Sequence, residues 1–108
     1  LVMFWASWCH KCEQEIPVLI PVYAKYQGQG FEAIGVSLDQ ARSTWVGVIE
    51  QRGMQYPNVS QLQGWDSTIV KDYKITSTPT YFLLDSEGKI VLKPKRIYEV
   101  DAFLAKNL

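Results

Sequence analysis

Trp5-Ala6-Ser7-Trp8-Cys9-His10-Lys11-Cys12 contains both cysteines of this 108-residue chain. On its N-terminal side, Leu1-Val2-Met3-Phe4-Trp5 is a short apolar run of the kind that forms a central strand buried on both faces. Ala6-Ser7-Trp8 reads as a loop. From about Cys9 to Tyr26 the pattern turns helical, with Ile16, Leu19, Ile20, Tyr23 and Tyr26 on one face. Cys9 thus falls where a strand and loop meet a helix N-terminus. Unpaired backbone amides and the helix dipole favour an anion there, and a thiolate is such an anion. Cys12 is one helical turn further on, within reach of the Cys9 sulfur. The spacing suits two-step exchange: Cys9 attacks a disulfide, then Cys12 attacks Cys9 and releases the product. His10 and Lys11 lie between the two sulfurs, and positive charge on either would further favour the thiolate and tune the pair's redox potential.

Outward from this stretch, Pro17 and Pro21 interrupt the helical pattern, because each lacks the amide that would bond the carbonyl four residues back. The sequence predicts a kink or break there, with Gly28 and Gly30 ending the segment. Phe31 to Leu38 reads as a second strand, followed by Asp39. Ala41 to Arg52 reads as a helix stopped by Gly53, and Tyr56 to Val59 as a short extended piece. Trp65 to Tyr73 reads as a short helix with Ile69, Val70 and Tyr73 inward. Thr80 to Leu84 and Lys89 to Leu92 flank the turn Asp85-Ser86-Glu87-Gly88, a β-hairpin signal. Val100, Phe103, Leu104 and Leu108 mark a final amphipathic helix. Helices between the first strands imply parallel pairing, and the late hairpin adds an antiparallel part. The expected architecture is α/β, a central mixed sheet with helices on both faces.

Bulk composition narrows the function. Length allows one compact domain, residues 1–108, which we read as cut from a longer chain because it opens directly on a strand. Apolar residues make up 47% of the chain, enough for a core without staples. The 11 basic and 11 acidic side chains cancel, which argues against a nucleic-acid binder. No apolar run approaches the roughly 20 residues that span a bilayer. Two cysteines in Cys-x-x-Cys spacing close too small a loop to be an architectural staple. A structural zinc site takes four ligands, and this chain offers two cysteines with its only histidine between them. A c-type haem site needs His directly after the second Cys, and Glu13 stands there. No metal or other cofactor is implied.

These residues together resemble the thioredoxin superfamily. Trp5 to Cys12 resembles its active-site segment, Pro17 its kinking proline five positions after the second cysteine, and Thr78-Pro79-Thr80 its cis-proline loop. The hairpin turn Asp85 to Lys89 matches as well. Within the superfamily the pattern Trp-Cys-x-x-Cys-x-x-Glu-x-Pro, with Glu15 and Pro17, is most similar to the TlpA/ResA-type group. The longer stretch from Gln40 to Gln63 also suits that group. The resemblance implies a thioredoxin fold and a thiol–disulfide oxidoreductase that reduces protein disulfides through Cys9 and Cys12. It implies substrate binding at Trp8, Thr78 and Pro79, protein thiol or disulfide substrates with an upstream electron donor, and an extracytoplasmic setting with a membrane tether outside these residues.

Three departures qualify the likeness. Met3 stands where thioredoxin carries a buried Asp on its first strand. His-Lys replaces Gly-Pro between the cysteines. At the end of the second strand, where the group often carries a Glu, the candidates are Asp39 and Gln40. Asp39 is read first as a helix N-cap and second as a proton relay to Cys12. Trp5, Trp45, Trp65 and Tyr81 are read as packing residues, and Lys89, Lys93, Lys95 and Arg96 as a solvated hairpin face. Two alternatives share the fold. A peroxiredoxin-like peroxidase would need a Thr-x-x-Cys motif, but Ala6-Ser7-Trp8 precedes Cys9. A non-catalytic binding module would not need the intact cysteine pair.

Overall fold

A computed structural model describes all of residues 1–108. Its elements in chain order are strand β1 (Val2–Trp5), helix α1 (His10–Tyr26), strand β2 (Ile34–Ser37), helix α2 (Arg42–Arg52) and strand β3 (Asn58–Ser60). Helix α3 (Thr68–Asp72), strands β4 (Thr80–Leu84) and β5 (Ile90–Leu92), and helix α4 (Ile97–Asn107) complete the chain, with short 3-10 turns at Gln27–Gln29 and Gly64–Asp66. The five strands form one mixed sheet in the order β3-β2-β1-β4-β5. β1 pairs parallel with β2, and β2 parallel with β3. β4 is antiparallel to β1 and to β5. The expected α/β architecture is the one observed.

β1 is the centre of the core. Successive side chains on a strand point to opposite faces, yet Met3, Phe4 and Trp5 are all buried. Both faces of the sheet are therefore covered. Trp5, read as core, is fully enclosed. Gly35 lies beside it on β2. A Cβ at Gly35 would overlap the Asn58 side chain and stand 2.9 Å from Trp5 Nε1, so glycine leaves the room that these two side chains occupy. Phe4 on β1, Phe82 on β4 and Tyr73 form a ring cluster with centroids 5.4 to 6.1 Å apart.

Several expectations need correction. α1 runs unbroken through Pro17 and Pro21 for 17 residues. Both prolines and Glu13 are exposed, so the carbonyls left without an amide partner lie on the solvent side of the helix, where they need no partner from the protein. β2 is confined to Ile34–Ser37, shorter than the apolar run from Phe31 to Leu38. Tyr73 does not turn inward; one face of its ring packs on Phe4 while much of it stays exposed. Leu108 lies beyond the end of α4 and is exposed.

Candidate functional site

The chain leaves the C-terminal end of β1, turns through Ala6-Ser7-Trp8 and enters α1 at Cys9. Cys9 is the N-cap residue, with extended backbone, and its sulfur accepts a hydrogen bond from the Cys12 amide at 3.2 Å. That amide is one of those a helix start leaves unpaired, so the helix itself offers a donor to charge on the Cys9 sulfur. Cys9 and Cys12 are joined in a disulfide with Cα atoms 5.2 Å apart, within the span such a bridge needs. The two sulfurs are unequal. Both are buried, but Cys12 is 0% exposed and Cys9 6%, so Cys9 is the more accessible of the two.

The loop before the pair is anchored by Asp39. Its carboxylate accepts from the Ser7 amide at 3.1 and 3.2 Å, from the Ser7 hydroxyl, and from the Ser37 hydroxyl at 2.5 Å. Ser37 Oγ in turn accepts from the Asp39 amide at 2.8 Å. Asp39 is 1% exposed. This corrects the N-cap reading: α2 begins at Arg42 and its cap is Ala41, with no side-chain hydrogen bond. The reason is distance along the chain, since Gln40 and Ala41 separate Asp39 from the first helical turn. The carboxylate turns back to the cysteine loop instead.

Glu15 stands one turn after Cys12 on the same helix and is also buried. It accepts from the Ile97 amide at 3.1 Å, at the start of α4, and lies 3.5 Å from Arg96 Nε. A carboxylate at a helix N-terminus is favourably placed, and here it ties α1 to α4. The i, i+3 spacing from Cys12 is the signal that puts it on the cysteine face of α1.

His10 and Lys11 are exposed, and His10 Nδ1 is 4.0 Å from Glu13. Lys11 points into a groove of about 580 Å³ that also holds Thr78, Pro79, Tyr81 and Lys93 to Arg96. The Thr78–Pro79 peptide bond is cis. The groove thus brings the segment between the cysteines and the proline loop to one place, across a separation of almost seventy residues. Tyr81 is buried at its base; desolvation, and secondarily the nearby Glu15 carboxylate, raise its phenol above the ordinary value of 10.0. Three of the four basic residues read as a solvated hairpin face line this groove. The fourth, Lys89, lies outside it and pairs with Glu87 at 3.5 Å.

Trp8 is 56% exposed beside Cys9, and Trp65 is 44% exposed against it, with ring centroids 6.4 Å apart. This corrects the packing role read for Trp65. It sits on the 3-10 turn Gly64–Asp66, just after the long stretch from Gln40 to Gln63, and is carried out of the core to Trp8. Trp45, by contrast, is buried as read.

A family model described as thioredoxin-like matches residues 1–90. Among curated proteins, the thiol-disulfide oxidoreductase ResA of Bacillus thuringiensis subsp. konkukian (strain 97-27) is 32% identical over 92 residues, covering 85% of this chain and 51% of that protein. ResA of Bacillus subtilis (strain 168) is 28% identical over 88 residues, 82% of this chain and 48% of that one. The chain spans about half the length of the curated relatives it matches. Among solved structures, a thiol-disulfide oxidoreductase from Bacteroides fragilis NCTC 9343 superimposes with a TM-score of 0.90 at 29% identity, over 99% of this chain and 79% of the other. StoA from Bacillus subtilis gives 0.76 at 25% identity, over 94% and 78%.

Proposed function

Since the chain belongs to the thioredoxin-like family, we propose that it is a thiol–disulfide oxidoreductase that reduces protein disulfides through Cys9 and Cys12. The observation that carries this reading is the bridged pair at the start of α1, with Cys9 the less enclosed of the two and with Lys11, between the cysteines, lining one groove with the proline loop. In the reduced protein, the Cys9 thiolate attacks one sulfur of a substrate disulfide. The Cys9–substrate bond forms, the substrate S–S bond breaks, and one substrate thiol leaves. Cys12 then gives up its proton and attacks the Cys9 sulfur, so that the second substrate thiol leaves and the Cys9–Cys12 bridge remains. Two electrons from an upstream dithiol reset the pair. The Cys12 amide and the N-terminus of α1 stabilise charge on Cys9 throughout.

The substrate chain is held, in this reading, by the Thr78–Pro79 backbone and by the aromatic pair Trp8 and Trp65. Lys11 and His10 set the redox potential, and Asp39 fixes the loop that presents Cys9. Asp39 serves here as a positioning residue; its bonds go to Ser7 and Ser37, which supports that role over direct proton relay to Cys12. The likeness to the TlpA/ResA-type group supports an extracytoplasmic location and an upstream electron donor. No helix of the chain is long and apolar enough to cross a membrane.

The test is paired. Cys9→Ser abolishes reduction of a disulfide-linked peptide, whereas Cys12→Ser accumulates a Cys9–substrate mixed disulfide visible by mass spectrometry. Undiminished turnover in both variants would remove the mechanism. The direction of electron flow follows from equilibrating the pair in thiol buffers: a potential near −270 mV, as in thioredoxin, marks a reductant, and one near −120 mV, as in DsbA, an oxidant.

A further inference from the structure

The groove beside the cysteine pair is strongly asymmetric in charge. Lys11, Lys93, Lys95 and Arg96 line it, and Glu15 is its one acidic lining residue. Glu15 is buried and already engaged by the Ile97 amide and Arg96 Nε. A second carboxylate nearby, Glu99, lies outside the lining and accepts from the backbone amides of Lys95 and Arg96. Lys11, Lys93 and Lys95 form no ion pair within 4 Å and are exposed. A chain of zero net charge therefore gathers three uncommitted ammonium groups around the proline loop. The rest of the lining mixes polar side chains such as Gln14 and Thr80 with apolar Tyr81 and Phe82, so charge is the feature that sets this groove apart.

We propose that this groove selects polypeptide substrates that carry acidic residues close to their reactive cysteines. The inference rests on the disulfide-exchange reading and adds the substrate class to it. Three elements supply the cations: the first turn of α1, the residue following β5, and the lead-in to α4. An extended acidic segment lying along Thr78–Pro79 passes all three. Charge of this kind acts over about a Debye length, roughly 10 Å at 0.1 M salt, and it mainly raises the association rate.

The test uses three disulfide-linked peptides identical except for acidic, neutral or basic residues flanking the cysteines. The acidic peptide is reduced with a kcat/KM about tenfold above the neutral one at low ionic strength, and the advantage shrinks toward unity in concentrated salt. Lys93→Glu with Lys95→Glu reverses the order in favour of the basic peptide. Lys89→Glu with Lys106→Glu makes the same change in net charge outside the groove and leaves the order as it was. Equal kcat/KM for all three peptides would overturn the proposal, as would an equal reversal in both double variants. Failure to reduce any peptide, or the small neutral hydroxyethyl disulfide, would overturn the exchange reading and this inference with it.

Discussion

Asp39 lies 32 residues from Ser7 in the chain and yet holds the loop that carries Cys9. Its carboxylate is enclosed, so removing it strands a partly buried amide and two hydroxyls together. Asp39→Ala lowers stability by about 1–3 kcal/mol, the usual consequence of leaving a buried donor unsatisfied, measured by urea denaturation. The same variant shifts the reduction potential of the cysteine pair, because Ser7 no longer has a fixed place; a potential identical to that of the parent would show that the loop is held by something else. The cysteines themselves were legible in the sequence, since their chemistry depends on a spacing of three and on the start of a helix, both local features. The partners of Asp39 were not legible, because a short polar residue after a strand suits a cap equally well. What decides between them is the parallel pairing that sets Trp5 against Ser37. Trp65 escaped for the same reason: nothing in its neighbours tells that the turn after Gln63 brings it to Trp8.

At the level of elements, hydrophobic period gave the type and order of every main strand and helix, and failed at their ends. The apolar run from Phe31 to Leu38 is longer than β2 because burial extends past the ladder, to Phe31 and Leu38. The prolines in α1 misled because a missing amide breaks a helix only where its partner carbonyl is cut off from water. The close approach of β2 to the Asn58 side chain of β3 and to the Trp5 indole depends on Gly35. Gly35→Ala destabilises the fold by about 1–3 kcal/mol, as overpacking does, seen as an earlier denaturation midpoint with unchanged slope. At the start of α4, Glu99 accepts from the amides of Lys95 and Arg96, at 2.5 and 3.0 Å. Those backbone bonds, that to Arg96 first and that to Lys95 second, hold its carboxyl below the ordinary 4.5. A folded value below the unfolded one means that the stabilisation is complete above about pH 4.5 and is lost as pH falls through the folded value. Glu99→Ala therefore lowers the melting temperature at pH 7. Thermal scans down the acid range should show the gap between variant and parent closing below pH 4.5; a gap that stays constant into strong acid would exclude the carboxylate as its source.

For the whole molecule, the sheet is graded from its middle outward. β1 is paired on both sides and covered on both faces, whereas β3 and β5 are edge strands of three residues that stay largely exposed. Native-state hydrogen exchange should read this gradient directly. Amides of β3 and β5 exchange through local opening, while those of β1 wait for global unfolding; β1 exchanging with the edges would mean that the sheet opens as one. The reactive turn follows directly from the end of β1. The pair is thereby suspended from the strand with the most partners, so opening at the margins leaves the sulfur that does the chemistry at its address.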